Sequence, residues 1–357
     1  MDARLRGHDK KRQHLDGRKA LGIAVGMGAN ERCACAFYAF SGGVFMFRLI
    51  GWQRSAHFTA VLQALFVTFL WSTSWVLIKI GLQDIPPLTF AGLRYGLAFL
   101  CLLPFFWRGG GVAEVRQLDR SGWLRLLALG VVYYAVTQGT QFVGLNYLPA
   151  VSVNVMLGFT SVVVALLGLG FLGERPSLWQ WLGMLAALGG GLLYFYPVQI
   201  PQAQLIGFVV VGVGVLANAG SAVLGRAINR VGHLRPLTVT TVSMGIGAAI
   251  LLVAGVGMQG LPALSWQSWA IIGWLAVVNT AFAFTLWNHS LRTLSAMESS
   301  IVNNTMGVQI PILAVIFLGE KLNGRQVSGL VVAVIGALLV QLGRRKILTQ
   351  RREEVKN

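Results

Sequence analysis

The chain is 357 residues long, 55% hydrophobic and only 11% charged, with a mean hydropathy of +0.67. A soluble globular domain carries roughly a quarter charged residues, so these values exclude one and describe an integral membrane protein. The formal net charge of +17 implies an anionic surface as partner, while Cys33, Cys35 and Cys101 make neither a disulfide framework nor a zinc site, which needs a second matched pair of ligands. No metal and no cofactor is expected.

Residues 1–57 form a basic N-terminal stretch, with eight Lys/Arg in residues 1–45, broken apolar patches and no apolar run of about twenty residues. Three readings compete there. A signal peptide would place its apolar core at Leu21 to Ala29, where Asn30, Glu31 and Arg32 interrupt it. A weak extra span would run from Cys33 to Phe47. The favoured reading is a disordered tail, with Met46 as the true start.

From His57 onward, windows of about twenty apolar residues, enough to cross a hydrocarbon core of ~30 Å as helix, occur ten times. Their limits are near 58–80, 88–107, 123–146, 151–172, 178–196, 205–228, 237–257, 267–291, 297–318 and 326–343. Helix is required, because lipid-buried backbone must be satisfied within each segment and the alternation of a barrel strand is absent. Prolines such as Pro86, Pro87, Pro149, Pro176, Pro197 and Pro236 punctuate the short connections. Residues 344–357 form a basic tail.

Orientation follows from Lys and Arg. With a cytoplasmic N-terminus the inner connections and C-terminal tail hold fifteen, including Arg108, Arg116, Arg120, Arg125, Arg230 and Arg235, against Lys79, Lys321 and Arg325 outside. The positive-inside rule therefore puts both termini in the cytoplasm and the chain in the plasma membrane, its basic face against anionic lipid.

Phe171-Leu172-Gly173-Glu174 recurs as Phe317-Leu318-Gly319-Glu320, 146 residues later, and Pro87-Leu88-Thr89 recurs as Pro236-Leu237-Thr238. Each copy of the first motif ends an apolar run and precedes a Gly-rich one. The fold class expected is all-α integral membrane, ten transmembrane helices as two five-helix repeats, 58–196 and 205–343. Five is odd, so the second repeat enters the membrane from the opposite side and the repeats are inverted. Such pairs surround a site near the midplane that opens to alternate sides.

Trp71-Ser72-Thr73-Ser74-Trp75 with Lys79, followed by Pro86-Pro87-Leu88-Thr89-Phe90-Ala91-Gly92-Leu93-Arg94-Tyr95, resembles the start of an EamA domain of the drug/metabolite transporter superfamily. The two Phe-Leu-Gly-Glu motifs resemble the ends of the fourth span in each of its two domains. The resemblance covers about 58–343. It implies a ten-helix, usually secondary-active exporter or importer of small metabolites, amino acids or drugs. The second half departs from the pattern, with Asn218 near the place of Trp71 and Arg226 in place of Lys79.

Polar residues inside spans face the bundle or a wet cavity; otherwise they are interhelical glue, worth roughly 0.6 kcal/mol each. Trp71, Gln138, Asn218, Asn279 and Asn303, from spans one, three, six, eight and nine, are the candidate substrate-binding residues, expected to meet at the midplane. Tyr134, Gln138 and Gln141 share one helical face, and Asn304 and Gln309 join Asn303 in span nine, where Pro311 loosens the ladder. Such a pocket suits a small, polar or zwitterionic, partly apolar solute. Glu298 and Arg94 are the charges expected at membrane depth, as proton or substrate handles or as snorkelling or capping groups. Glu174 and Glu320 are expected to hold a helix end or a neighbouring span. Stripes such as Gly183, Ala187 and Gly191 read as close-packing surfaces.

An integral membrane enzyme needs clustered acids or His at one face, and His57, His233 and His289 lie far apart without acidic partners. Neither an enzyme nor a receptor or scaffold is favoured, and no nucleic-acid motif accompanies the basic tail. The partners expected are a small-molecule substrate and the lipid bilayer, with a homodimer left open.

Overall fold

The computed structural model describes residues 56–172, 177–197, 201–231, 234–294 and 296–354. The N-terminal tail up to residue 55 and Glu174 thus lie outside the described residues. All described secondary structure is helical. We number the ten spanning helices α1 (Ala56–Gly81), α2 (Pro87–Arg108), α3 (Arg120–Tyr147), α4 (Ala150–Gly158 and Thr160–Leu172) and α5 (Leu178–Phe195) in the first repeat. The second repeat has α6 (Gln202–Val231), α7 (Pro236–Gln259), α8 (Trp266–Ala276, Val277–Phe282 and Ala283–Ser290), α9 (Ala296–Asn304 and Met306–Leu318) and α10 (Gly324–Glu354).

Nine of these hold, among the described residues, a stretch long and apolar enough to cross a membrane; Gly324–Val340 of α10 is a shorter apolar one. The fold is therefore an all-α integral membrane bundle of two inverted five-helix repeats. Its outward faces are apolar, with Val253 76% and Leu192 66% exposed, as lipid contact demands. α10 departs from the expected limit: it continues through the basic tail to Glu354, because Arg, Lys, Leu, Gln and Glu are good helix formers and propagate the helix beyond its apolar part.

Helix starts follow local chemistry. Pro87 and Pro236 occupy first-turn positions of α2 and α7, where no amide is needed. Ser177 and Gln180 form a reciprocal capping box on α5, and Ser265 caps α8.

The repeats meet along α5 and α10. A Cβ on Gly190 would lie 2.3 Å from the Ala333 nitrogen, and one on Gly336 would lie 2.3 Å from that of Ala187. Only glycine permits that approach. Gly183, Ala187 and Gly190 recur at the repeat offset as Gly329, Ala333 and Gly336, so the antiparallel seam is self-complementary. Small residues are what helices in lipid use to bring backbones together.

The repeat also shows in its irregularities. α3 is π-helical over Gly130–Gln138 and α8 over Val277–Phe282, with Thr137 and Thr280 each donating to the carbonyl five residues back, Val132 and Leu275, at 2.9 and 2.8 Å. α4 breaks at Phe159 and α9 at Thr305, equivalent positions in the two halves. Pro311 does not make that break: it lies within Met306–Leu318. Its missing amide frees the Gly307 carbonyl, which accepts instead from Asn154 Nδ2 on α4 at 3.3 Å.

The two ends of the bundle differ. Where α1 finishes, Ile78, Phe90, Phe142, Leu145, Leu148 and Val151 are buried together. Lys79 donates from Nζ to the carbonyls of Leu145 and, at 2.8 Å, Leu148, which close α3. Glu320 accepts from the amides of Ala150 and Val151, at 2.5 and 3.1 Å, which open α4. A cation at a helix C-terminus and an anion at an N-terminus each oppose the local dipole charge. At the other end Glu298, in the first turn of α9, meets His57 at the start of α1 at 2.8 Å. In the α2–α3 connection, Glu114 in a short helix (Gly111–Arg116) pairs with Arg235 and accepts from Thr238 Oγ1 at 2.6 Å. Partial burial pushes the Glu114 carboxyl up, yet the hydrogen bonds from Thr238 and Arg235 prevail and hold it below its ordinary value.

Candidate functional site

A cavity of about 650 Å³ lies between the repeats. Its deep limit is marked by Trp75, Tyr95 and Ile310, under the packed end. From there its lining extends to Gln180, in the first turn of α5, and to Val340 of α10, toward the arginine-rich end. Every spanning helix except α7 contributes to its wall.

Trp71, Gln138, Asn218 and Asn303 all line it, so four of the five expected binding residues come together. Trp71 is braced from α8: its ring centroid is 5.4 Å from that of Phe284 and 5.2 Å from that of Trp287. Asn218 donates from Nδ2 to Thr160 Oγ1 at 3.3 Å, bridging α6 to α4. Gln138 accepts from the Tyr95 hydroxyl at 2.7 Å.

Asn279 is the correction. Its side chain is wholly buried and donates to the Leu70 carbonyl and, at 3.2 Å, to Thr73 Oγ1, tying α8 to α1 away from the cavity. Gln309 is likewise spent between helices: it accepts from Ser72 at 2.9 Å and donates to Thr305 at 3.0 Å. Glu298 sits in its pair with His57 and does not line the cavity. Glu320 is occupied at the packed end.

The shared face expected of Tyr134, Gln138 and Gln141 is altered by the π segment. An i to i+5 register rotates the residues within it relative to those beyond. Gln138 and Gln141 reach the cavity, but Tyr133 takes the place of Tyr134, whose ring packs edge-on against Tyr95 at 5.7 Å in the core. Tyr133 and Asn154 are lining residues that sequence reasoning missed. Asn154 was detectable as a lone amide in an apolar run, whereas nothing local announces the π register that turns Tyr133 inward.

Arg94 is also in the wall, 5% exposed. Its Nε donates to Thr280 Oγ1 at 3.2 Å, and the guanidinium lies 5.2 Å from the Tyr95 ring centroid and 6.0 Å from that of Phe142. The π segment of α8 thus positions Arg94, and that of α3, through Gln138, positions Tyr95. Irregular backbone at membrane depth is tolerated where it serves a protein-lined cavity. No group of three or more His, Cys, Asp or Glu that could hold a metal occurs among the described residues.

Residues 58–196 and 204–342 each match the EamA-like transporter family. A Bacillus subtilis (strain 168) protein, the uncharacterized transporter YoaV, is 27% identical over 284 residues, covering 78% of this chain and 92% of its own. The uncharacterized inner membrane transporter YedA of Escherichia coli (strain K12) is 27% identical over 298 residues, covering 79% and 90%. A solved crystal structure is similar with a TM-score of 0.58 at 17% identity, over 80% of this chain and 98% of that one, a likeness of fold.

Proposed function

Because the chain belongs to the EamA-like transporter family, we propose that it exports a small metabolite, amino acid or drug across the plasma membrane by secondary-active alternating access, with both termini cytoplasmic. Membrane transport is what its relatives are named for; the mechanism and direction are our reading. One observation carries it. The cavity is walled by both repeats, extends toward the arginine-rich end and is closed off at the Lys79–Glu320 end.

The positive-inside rule makes the arginine-rich end cytoplasmic, so this conformation faces inward and receives its solute from the cytoplasm. Trp71, Gln138, Asn218 and Asn303 bind it through an indole face and neutral amides, which recognise without trapping. Release requires the Lys79 and Glu320 contacts to let go of the α3–α4 turn while the cytoplasmic end closes. Coupling is assigned to Glu298: its pair with His57 joins α1 to α9 at the cytoplasmic end, so its protonation weakens a contact at the end that must move.

A resistance screen of an overexpressing strain against small metabolites identifies a solute, and counterflow in proteoliposomes then measures its movement. Gln138→Leu and Asn303→Leu should each lower flux at least about tenfold at normal membrane levels, the loss of roughly one buried hydrogen bond. Unimpaired flux in both variants would move the site elsewhere. Single cysteines at Ser177 and Asn323 should label from opposite sides; labelling from the same side would refute the inverted orientation.

A further inference from the structure

We propose that the solute is an organic anion, an apolar or aromatic monocarboxylate, and that Arg94 is the residue that binds its carboxylate. The inference rests on the transport reading and narrows its substrate. Among the charged residues in the cavity wall Arg94 stands alone: the described lining contains no Asp, Glu, Lys or His. A cation in the interior of a bundle is costly and ordinarily pairs with an acid. Here the described protein contacts of Arg94 are one hydroxyl and two aromatic faces, with no carboxylate among them. Thr280 engages Nε, which leaves the two terminal nitrogens of the guanidinium as the donor pair that suits the two oxygens of a carboxylate.

The neighbouring groups are already committed in ways that favour this role. The Tyr95 hydroxyl is given to Gln138, so it does not compete for the ligand's oxygens. Thr280 is itself anchored to the Leu275 carbonyl, which fixes the hydroxyl that orients the guanidinium. Trp71, Trp75, Tyr133 and Phe284 add aromatic faces to the wall, which receive an apolar body. An ammonium group finds no carboxylate to meet in the described lining. That favours a plain anion over a zwitterion, and disfavours organic cations.

The test uses the full chain in proteoliposomes and nanodiscs with phenylacetate, 3-phenylpropionate and 4-methylpentanoate, each beside its neutral amide and beside phenylalanine. We expect at least one acid to bind and to be transported with a preference of about 100-fold over its amide and about tenfold over phenylalanine. In Arg94→Gln the acid-to-amide preference should collapse to within about threefold, while Arg94→Lys should keep part of it. Should Arg94→Gln fail to reach the membrane, Gln141→Glu serves instead: a carboxylate built into the wall of the same cavity, at a residue not assigned to binding, should abolish acid binding and leave amide binding within a few-fold. Equal affinity for acid and amide, no binding of any of the three acids, or a preference that survives Arg94→Gln, or survives Gln141→Glu where Arg94→Gln does not reach the membrane, would overturn the proposal. Movement of a neutral or cationic solute from the resistance screen, with no acid moved, would overturn it and leave the transport reading standing. Absence of flux for every solute would remove both.

Discussion

At one end of the bundle Lys79 and Glu320 hold the α3–α4 turn from both sides, and Leu145, Leu148 and Val151 are buried beneath them. At the other end the equivalent α8–α9 turn leaves Leu291, Arg292 and Thr293 exposed and buries Leu294 alone of the four. Both turns derive from one repeated sequence, in which Glu174 is the counterpart of Glu320. The pattern of apolar residues therefore does not decide which end is sealed. The α3–α4 turn is gripped by charge at its helix termini, and we propose that this grip holds its end shut and can be released without repacking the seam between α5 and α10.

Breaking the seam should erase the contrast altogether. Gly190→Leu or Gly336→Leu drives a side chain into facing backbone, an overpacking that costs about 1–3 kcal/mol or more, and we expect little monodisperse protein after extraction. Size-exclusion chromatography measures it; normal yield of both variants would show that the close approach is dispensable.

The grip itself comes next. Glu320→Gln removes the charge that satisfies two amides of α4, worth about 1–3 kcal/mol, so a cysteine at Val153, buried in this conformation, should label roughly tenfold faster from the Glu320 end. Glu174→Gln should change labelling there in the opposite direction. Equal rates in the two variants would deny that the carboxylates act as a pair.

Asn279 and Asn303 sharpen the distinction between framework and cavity. Asn279→Leu should lower the unfolding temperature, by about 1–3 kcal/mol of lost hydrogen bonding, and spare solute affinity; Asn303→Leu should do the reverse. Thermal denaturation beside solute binding separates them.

The smallest effect concerns pH. Since hydrogen bonds hold Glu114 below its ordinary value, its contribution is present above the ordinary carboxylate range and is lost as pH falls through the lowered value. Glu114→Gln should flatten that acid limb of stability, and by little, because the pair with Arg235 is partly exposed.

Much of this was legible from residues alone. Ten apolar windows and a repeated Phe-Leu-Gly-Glu are sufficient for the spans and the inversion, because lipid permits few alternatives. That Trp71, Gln138, Asn218 and Asn303 share a cavity wall is legible for the same reason, as polar or amphipathic groups at depth. Asn279 was misjudged because a buried amide and a cavity amide look alike in sequence; only the position of Leu70 and Thr73 distinguishes them. Tyr133 was missed because a π register shifts a face without any change in composition. The isolation of Arg94 from acids is a tertiary fact as well: Glu298, in the first turn of α9, and Glu320, just beyond its end, are each held elsewhere.

The most direct test of exchange between sealed ends is to lock the packed end shut. Tyr147 and Lys321 are exposed and flank in sequence the hydrogen-bonded Ala150 and Glu320; cysteines placed there, in a chain free of its native cysteines, are to be joined by a cleavable bifunctional maleimide. Proteoliposome flux should fall to background when the link is formed and return when it is cut, with solute binding from the arginine-rich end retained throughout. Undiminished flux through the linked protein would contradict alternating access at that end.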